Sequence, residues 1–510
     1  MLVAVLLVTL LTAMVAASLL FRTHAEVAAS HAASEGDQAW SAAMAGVQLA
    51  MAALAPGGSE DADRNEPAEV FTRLGDRALW YDNPELFRDR LVLDDGANRW
   101  YFTVYARNDR DPKAVRHGLS DEAGKISLNV ASKDTLLKLP GMTAELVDAL
   151  LDWRDADAES RTNGAEQEYY DTLPTPYVAK NGPVATVEEL LLIKGFDARV
   201  VFGEDANLNG LLEPHEDDGE ERFPADDRDG VLDAGLIDAV TAISYGPNVD
   251  AQGQPLLNLN GSTRELRELG LSRDTLDFIE SYRGDGGTFT HPSQLLSMTH
   301  TKRERSGGRS RVPFAPPTRG GKGTPTPPRD APTPEPVVLR ANPTPEDLAL
   351  LMGKTSTLRG RAWIGLVNVN SAPAATLAAL PGLDESLAQR IVEVRRDLDA
   401  QQLESTAWLY TQGVLSAEQY KKVAPLLSFR GYQYRARVMG YGVPCGRFRV
   451  LEAVIDVASG TPRLVYLREL TRLGLPLTPS PRDPNEPVSS DASGSGSRSN
   501  PASTPAPSAR

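Results

Sequence analysis

The 510-residue sequence predicts an α+β fold: a long N-terminal helix packed on a small antiparallel sheet, with a large α-helical domain inserted into that sheet. Three observations predict it. An uncharged apolar stretch opens the chain, β-rich segments lie at residues 99–109 and 432–470, and repeated helical hairpins fill most of the sequence between them. Because sheet-forming segments flank the hairpins, we expect the two ends of the chain to form one domain.

The first element is a predicted transmembrane helix at residues 1–22. Residues 2–21, "LVAVLLVTLLTAMVAASLLF", carry no charge, and twenty helical residues match a bilayer core of about 30 Å. A cleaved signal peptide is the alternative, but its apolar region is usually about 7 to 15 residues long and follows a basic start. The sequence therefore favours an anchor.

The second unit, predicted at residues 23–125, combines a helix with the first strands. Met44, Val47, Met51 and Leu54 recur at helical spacing, which predicts that the first helix continues to the break at Pro56 with one apolar face. "RWYFTVYARND" then reads as a strand because aromatic and β-branched residues dominate it. We expect the helix to lie on the sheet.

A helical repeat organises the middle of the chain. Its copies at 126–154, 257–283 and 367–395 each open with an apolar-Asn pair, continue through two helices around a Gly turn, and end in Arg. Ser262 with Glu265, and Thr186 with Glu189, predict capping boxes. We place the inserted helical domain at 126–300 and a third hairpin unit at 346–428.

These repeats resemble the helix-hairpin-helix family, whose hairpins often hold DNA through main-chain N–H groups at the glycine turn. The turns here, "PGMT" at 140–143, "LGLS" at 269–272 and "PGLD" at 381–384, lack the family's second glycine. Asp384 also occupies a position that a phosphate must approach. Packing or protein contact is favoured, and a membrane-anchored extracytoplasmic DNA-binding protein is the alternative.

Residues 205–216, "DANLNGLLEPHE", match the twelve-residue calcium loop D-x-[DN]-x-[DN]-G-x5-E, with Gly210 at the turn. The alternative is a solvated acidic turn. No amphipathic helix follows the loop, so we interpret it as a structural staple rather than a switch. The predicted calcium ligands are Asp205, Asn207, Asn209, the Leu211 carbonyl, Glu213 and Glu216.

A second candidate loop follows at "ADDRDGVLD". With Gly230 at the turn, Asp227, Asp229 and Asp233 fall at ligand positions 3, 5 and 9 and are predicted metal ligands. Positions 1 and 12 hold Ala225 and Leu236, so the register is damaged. Two readings stay open: an irregular second calcium site that uses Asp226 or Asp238, or a source of negative potential beside the first loop.

Composition and residue spacing argue against two functional classes. The formal charge of −16 and pI near 5.0 disfavour a general nucleic-acid binder, which must neutralise phosphates. The six histidines form no ligand set, no G-x-S-x-G occurs, and the single cysteine, Cys445, has no histidine near it in sequence. We therefore expect no enzyme activity.

Several stretches together resemble the protein K family of minor pseudopilins in the bacterial type II secretion system. These are the uncharged N-terminal helix, "DEAGKISLN", "DWRDAD", the segment from Gly164 to Gly195, and the calcium loop. The resemblance implies a pilin-like domain with a helical insert, bound calcium, and a place at the pseudopilus tip beside other minor pseudopilins. It also implies a single-pass protein of the inner membrane, with most of the chain on the periplasmic side.

One absence fits this resemblance. A carboxylate near the start of a pilin-type helix is expected to pair, inside lipid, with the N-terminal amine of a neighbouring subunit. No acidic residue precedes Glu26 here. Members of the protein K family also lack the early carboxylate, and a subunit without it suits the top position of the pseudopilus.

The remaining segments complete the domain plan. A Pro/Gly-rich, basic linker at 301–345 and a Ser/Pro/Gly-rich tail at 477–510 are predicted to be disordered. Between them, residues 429–476 alternate in strand fashion across Gly turns, which predicts C-terminal strands that complete the sheet.

Overall fold

The computed structural model describes residues 2–55, 77–222, 224–302 and 337–481. Within these ranges it combines one very long helix, one large antiparallel sheet and many short helices, so the predicted α+β class is confirmed. The helices in chain order are Leu2–Leu54 (α1), Arg77–Trp80 (α2), Pro84–Phe87 (α3), Lys133–Leu136 (α4), Ala144–Arg154 (α5), Gln167–Asp171 (α6), Ala198–Phe202 (α7), Gly235–Ala239 (α8), Thr263–Glu268 (α9), Arg273–Gly284 (α10), Pro345–Lys354 (α11), Ala374–Ala379 (α12), Glu385–Val394 (α13), Trp408–Thr411 (α14) and Ala417–Val423 (α15).

The strands fall into one large sheet and several two-stranded ladders. In chain order they are Arg90–Asp94 (β1), Arg99–Tyr105 (β2), Ser120–Asp121 (β3), Ile126–Ser127 (β4), Val240–Thr241 (β5), Tyr245–Pro247 (β6), Leu257–Asn258 (β7), Thr299–Lys302 (β8), Val337–Arg340 (β9), Thr355–Ser356 (β10), Ala362–Ile364 (β11), Val367–Asn368 (β12), Leu427–Ser428 (β13), Gln433–Val443 (β14), Phe448–Asp456 (β15) and Arg463–Glu469 (β16).

The large sheet joins the two ends of the chain. Its strand order is β1-β2-β14-β15-β16, all antiparallel, and β3 also pairs with β14. Val438 at the centre of β14 faces Val104 of β2 on one side and Leu451 of β15 on the other. The prediction that the C-terminal strands share a sheet with residues 99–105 is confirmed.

The second half of α1 packs on this sheet through its smallest side chains. Ala39, Ala43, Gly46 and Ala50 are buried, as are Val47 and Leu54. The predicted face was therefore partly wrong, because Met44 and Met51 lie only at its margin. Small residues occupy the central positions because the helix backbone approaches the sheet very closely.

Each helical repeat is closed by the Asn that follows its first strand and the Arg that ends its second helix. In the first copy the Asn129 side chain donates to the Val184 carbonyl (2.9 Å) and accepts from the Val184 amide (2.7 Å). Arg154, at the end of α5, donates to the carbonyls of Leu128 and Ala131. These bonds fasten the second helix to the strand that opens the repeat.

The other two copies repeat this closure. Asn260 exchanges two 2.8 Å bonds with the Phe289 backbone, and Asn370 donates to the Phe429 carbonyl at 2.8 Å. Arg283 donates to the Gly261 carbonyl, and Arg395 to the carbonyls of Val369 and Ala372. The repeat signature thus encodes intrachain contacts.

The predicted boundaries need correction around the linker. The 301–345 segment was predicted to be disordered, but β8 and β9 pair across it, with Thr299 opposite Arg340, and α11 begins at Pro345. The central linker residues, 303–336, lie outside the described residues, as does the tail from 482. The third hairpin unit is also not separate, because one hydrophobic cluster contains residues from both 126–240 and 367–427.

Both predicted capping boxes are wrong. Ser262 makes no side-chain capping bond, and Thr186 makes none before a 3-10 helix at Val187–Leu192. The Glu189 carboxylate instead accepts hydrogen bonds from the Trp153 indole (2.8 Å) and the Lys180 ammonium (2.8 Å). The same carboxylate also accepts from the Ala185 amide at 2.9 Å, one residue before the predicted N-cap.

Candidate metal centre

The predicted calcium loop connects α7 to the acidic segment before α8. Its turn is formed by left-handed backbone at Leu208 (φ 57°) and Gly210 (φ 77°). Gly210 fits this position for two reasons. Glycine adopts the left-handed conformation without strain, and a Cβ here would lie 2.9 Å from the Arg107 Cβ. The loop therefore bends sharply at the position that the sequence pattern predicts.

The acidic residues at the two ends of the loop are buried and point back to its backbone. Asp205 accepts from the amides of Asn209 (2.9 Å) and Gly210 (2.8 Å). Glu216, which is fully buried, accepts from the amides of Ala206 (2.8 Å) and Glu213 (3.0 Å). Loop positions 1 and 12 thus lie close together, as calcium ligation requires.

The amide ligands predicted at positions 3 and 5 lie inside the same loop. The Asn207 amide nitrogen donates to Glu213 at 3.1 Å, and the Asn207 oxygen accepts from the Asn209 amide at 3.1 Å. The Asn209 side chain donates to the Pro476 carbonyl at 2.8 Å. The loop is therefore tied to the C-terminal segment, a contact that no local pattern indicates.

Charge in the loop is poorly compensated by the protein. Burial, reinforced by the nearby Asp238 carboxylate and opposed by Arg437, raises the pKa of Asp205 to about 7. Burial is also the main cause that raises the pKa of Glu216. Carboxylate and amide oxygens concentrated in a buried loop fit a hard divalent cation such as Ca²⁺. Hydrogen bonds within the loop connect the side chains of five predicted ligand residues: Asp205, Asn207, Asn209, Glu213 and Glu216.

The second predicted loop has left-handed backbone at the same two loop positions as the first. Arg228 (φ 58°) and Gly230 (φ 75°) take the left-handed positions that Leu208 and Gly210 take in the first loop. Asp227 accepts from the Asp229 amide at 3.2 Å, and Asp229 accepts from the Val231 amide at 2.7 Å. Asn207 and Asn209 make the equivalent bonds in the first loop. The structure thus brings Asp227 and Asp229 into one turn.

A carboxylate from outside the loop pattern contacts the turn of this second loop. Asp217 accepts from the Gly230 amide at 3.2 Å, just as Asp205 accepts from Gly210. Asp238 is instead engaged by Arg107 (3.5 Å) and Arg437 (3.6 Å). Sequence reasoning missed Asp217 because it lies well before the segment that matches the loop pattern.

The two loops meet at Asp233. Its carbonyl accepts from the Glu204 amide at 2.7 Å, and its amide donates to the Glu204 carboxylate at 3.3 Å. Burial of Glu204 raises its pKa, and the nearby carboxylate of Asp233 adds to the rise, whereas the hydrogen bond from the Asp233 amide opposes it. The candidate metal centre is therefore one continuous acidic unit.

The turns of the helical hairpins make contacts within the chain. The Asp384 carboxylate caps α13 by accepting from the Leu387 amide at 2.9 Å, which places negative charge at the turn. Lys138, after α4, donates to the carbonyls of Ala378 (3.2 Å) and Leu380 (3.1 Å), so the first and third hairpins touch each other.

Comparison with known proteins gives two family matches. Residues 118–202 match the family model of the type II secretion system (T2SS), protein K, and residues 364–428 match the helix-hairpin-helix motif. A search of curated proteins found no match. A solved chain of the GspK-GspI-GspJ complex from the enterotoxigenic Escherichia coli type 2 secretion system is similar at 11% identity and TM-score 0.36, over 88% of this chain and 99% of that one.

The segment that matches protein K contains β3, the strand that pairs with the sheet, and runs through the first helical hairpin to α7, just before the calcium loop. Over this segment the chain is similar to protein K of the type II secretion system, and over residues 364–428 it is similar to the helix-hairpin-helix motif.

Proposed function

We propose that this chain is a non-enzymatic minor pseudopilin at the tip of a type II secretion pseudopilus, where it supports protein export across the outer membrane. The observation that carries the proposal is the match of residues 118–202 to protein K, in a chain whose long apolar helix packs on an antiparallel sheet.

The first half of α1 supports a membrane location. Within the described ranges, α1 is the one helix that is long and apolar enough to cross a membrane, and no residue of its most apolar stretch is buried. Leu7, Leu11 and Val15 are each more than half exposed. Insertion into lipid would remove this apolar surface from water. A single-pass anchor in the inner membrane, with the sheet and insert in the periplasm, follows from this reading.

The charge pattern of α1 supports the tip position. Its first acidic residue, Glu26, already pairs with Arg22 on the same helix at 3.1 Å. A subunit without a lipid-buried carboxylate has nothing to pair with the terminal amine of a subunit placed above it. Such a subunit suits the end of the assembly.

Calcium is proposed to hold the acidic unit of the insert. Asp205, Asn207, Asn209, the Leu211 carbonyl, Glu213 and Glu216 would hold the first ion. Asp227, Asp229 and Asp233, with Asp217, would hold the second. The ions would supply the positive charge that the buried carboxylates lack, and so keep the connection between α7 and α8 ordered.

Duplex DNA binding is the second candidate, and the helix-hairpin-helix match at 364–428 favours it. This candidate has less support, because the arginines that end the repeats donate hydrogen bonds to carbonyls of the same chain: Arg154, Arg283 and Arg395. The net charge of −16 also opposes association with phosphates.

Co-purification separates the two functions. The full chain is co-expressed with the other minor pseudopilins of its own secretion gene cluster and purified in detergent. It should elute with them as one hetero-oligomer. The association should persist when NaCl is raised from about 50 to 300 mM, whereas DNA binding would weaken steeply over this range. Binding to duplex DNA without pseudopilin association would overturn the proposal.

A further inference from the structure

An aromatic groove is lined by residues that follow the second helical hairpin and by residues of the third. Its volume is about 500 Å³, which is within the range of pockets that hold a ligand. The lining combines Trp363 and Ile364 of β11 with Leu358, His291 and Pro292, and we call the site the Trp363 groove. Its lining shares no residue with the acidic loops at 205–233.

Apolar side chains of the Trp363 groove are exposed. Ile364 is 63% exposed and Leu358 is 46% exposed. Trp363 is half-buried, with its ring centroid 6.0 Å from that of Tyr432. Exposed apolar side chains that are scattered singly are ordinary, but several of them lining one concave site indicate a surface that binds another segment.

The walls of the groove are fixed by hydrogen bonds. The Thr357 hydroxyl donates to the Thr290 carbonyl at 2.6 Å, and Ile364 of β11 is paired with Tyr245 of β6. Burial lowers the pKa of His291 to about 4, so its imidazole is uncharged at neutral pH. The groove therefore presents a rigid surface in which aromatic and apolar groups are prominent.

The basic linker contains a segment whose chemistry suits such a surface. Residues 312–317, "VPFAPP", place Pro313 and Pro316 at P-x-x-P spacing, and Phe314 is the only aromatic residue of 303–336. The tail at 482–510 is also rich in proline but has no aromatic residue. Segments with P-x-x-P spacing bind aromatic-lined grooves in other proteins, because proline lowers the entropy that is lost on binding.

The linker is long enough to reach the groove from both of its ends. Ten residues separate Lys302, at the end of β8, from Val312, and they span about 30 Å when extended as in a polyproline helix. Ten residues also separate Lys302 from Pro292 of the groove, but they include a 3-10 helix and so span less. On the other side, twenty residues separate Pro317 from Val337, where β9 begins.

We propose that residues 312–317 bind in the Trp363 groove of the same chain, with the Phe314 ring beside Trp363. Binding removes Leu358 and Ile364 from water and holds the linker against the insert. Because the segment is tethered close to the groove, its effective concentration is about 1 mM, and a weak intrinsic affinity is sufficient. The inference does not depend on the calcium loops or on the secretion role.

Photo-crosslinking tests which segment occupies the groove. Phe314 is replaced by p-benzoylphenylalanine in the full chain, which is purified in detergent, irradiated and digested for mass spectrometry. The crosslink should join residue 314 to residues 355–366 of the groove. The same photoreactive residue at Thr324 is the control and should give much less of this crosslink.

A mixture of isotope-labelled and unlabelled chains shows whether the crosslink forms within one chain. Crosslinks between a labelled and an unlabelled chain would overturn the proposal, because the segment would then bind in another copy. A yield at position 314 that is no higher than at the control position would also overturn it.

Trypsin cleavage gives an independent measurement on the full chain. Arg311 directly precedes the segment, so binding should protect the bond after it. Phe314→Ala and Trp363→Ala should each speed this cleavage by a factor of about five, because proteolysis follows the population of the unbound segment. Thr324→Ala in the linker and Leu91→Ala at an exposed position of β1 are controls and should leave the rate unchanged.

Phe314→Ala changes only the linker, so it keeps the cleavage test decisive if Trp363→Ala does not fold. Cleavage of Phe314→Ala at the same rate as the unmodified chain would contradict binding of the segment in the groove.

Discussion

At the residue scale, the most informative feature is a buried ion network on the face of the sheet that the insert covers. Arg435 of β14 binds Glu122 (2.8 Å) and Glu452 (2.7 Å), and Arg437 binds Glu452 (3.0 Å). Both carboxylates are fully buried. Arg437 also donates to the Leu208 carbonyl in the first acidic loop at 2.8 Å, so one strand connects the sheet, the insert and the candidate metal centre.

The network predicts a strong effect of Glu452→Gln. Burial disfavours the Glu452 charge, but Arg435, Arg437 and Arg468 overcome this and hold its pKa at about 2. Removing one partner of a buried pair leaves uncompensated charge, so we expect a loss of about 3 to 5 kcal/mol in the free energy of unfolding at pH 7. Urea denaturation checks this, with the exposed Glu265→Gln as control.

The same carboxylate predicts a pH dependence. Its folded pKa is below the ordinary value of 4.5, so its stabilising contribution is complete above that value and is lost as the pH falls toward about 2. The unmodified chain should therefore lose stability more steeply between about pH 5 and pH 3 than Glu452→Gln does. Parallel pH profiles for the two chains would contradict the assignment.

At the element scale, α1 and the sheet touch at backbone distance. A Cβ on Gly440 of β14 would lie 2.2 Å from the Ala39 carbonyl oxygen and 2.3 Å from the Ala43 nitrogen. One on Gly46 of α1 would lie 2.5 Å from the Val438 side chain. Glycine at these positions is therefore a packing requirement of two elements that lie near opposite ends of the sequence.

Gly440→Ala tests this close approach. The added methyl group meets helix backbone that cannot move aside, so we expect the free energy of unfolding to fall by about 1 to 3 kcal/mol. Gly284→Ala, where a Cβ has open space, serves as control and should change stability by less than about 0.5 kcal/mol. Equal effects of the two substitutions would rule out tight helix–sheet packing.

The first calcium loop is the second element that carries a prediction. If Ca²⁺ is present at about 100 times its dissociation constant, binding stabilises the folded state by roughly 2.7 kcal/mol. Thermal melting of the chain should therefore occur at lower temperature in EGTA than in calcium. Glu216→Gln should remove at least half of that difference, whereas the exposed Glu220→Gln should preserve it; identical calcium responses would count against the loop.

At the scale of the whole molecule, the inserted domain interrupts a sheet whose strands come from both ends of the chain. Phe102 and Val104 of β2 share a core cluster with Val47 of α1 and with Val438 and Leu451 of the C-terminal strands. Neither end can bury these side chains alone. Folding of the first 125 residues therefore depends on strands that are made last.

Truncation tests this dependence. A chain that ends at Arg430 lacks β14 to β16, so β2 loses its main partner and the apolar face of α1 is uncovered. We expect it to lose cooperative thermal unfolding and to be cleaved rapidly by trypsin. A chain that ends at Pro481 retains all described elements and is the matched control. Cooperative melting of the shorter chain would refute the shared-core interpretation.

The sequence by itself determined the extended first helix, the hairpin repeats, the strands at both ends and the turn of the first calcium loop. Each depends on neighbouring residues, such as the uncharged run at 2–21 or the spacing from Asp205 to Gly210, so local periodicity and turn chemistry are sufficient to predict it.

Only the tertiary structure decided the rest. Alternation in β14 would place Arg435 and Arg437 on a solvent face, but the insert covers that face and turns them into buried ion-pair partners. Asp217 completes a turn centred on Gly230, and the Pro476 carbonyl holds Asn209. The physical reason is the same in each case: these groups meet because the chain folds back on itself, and no linear spacing records that contact.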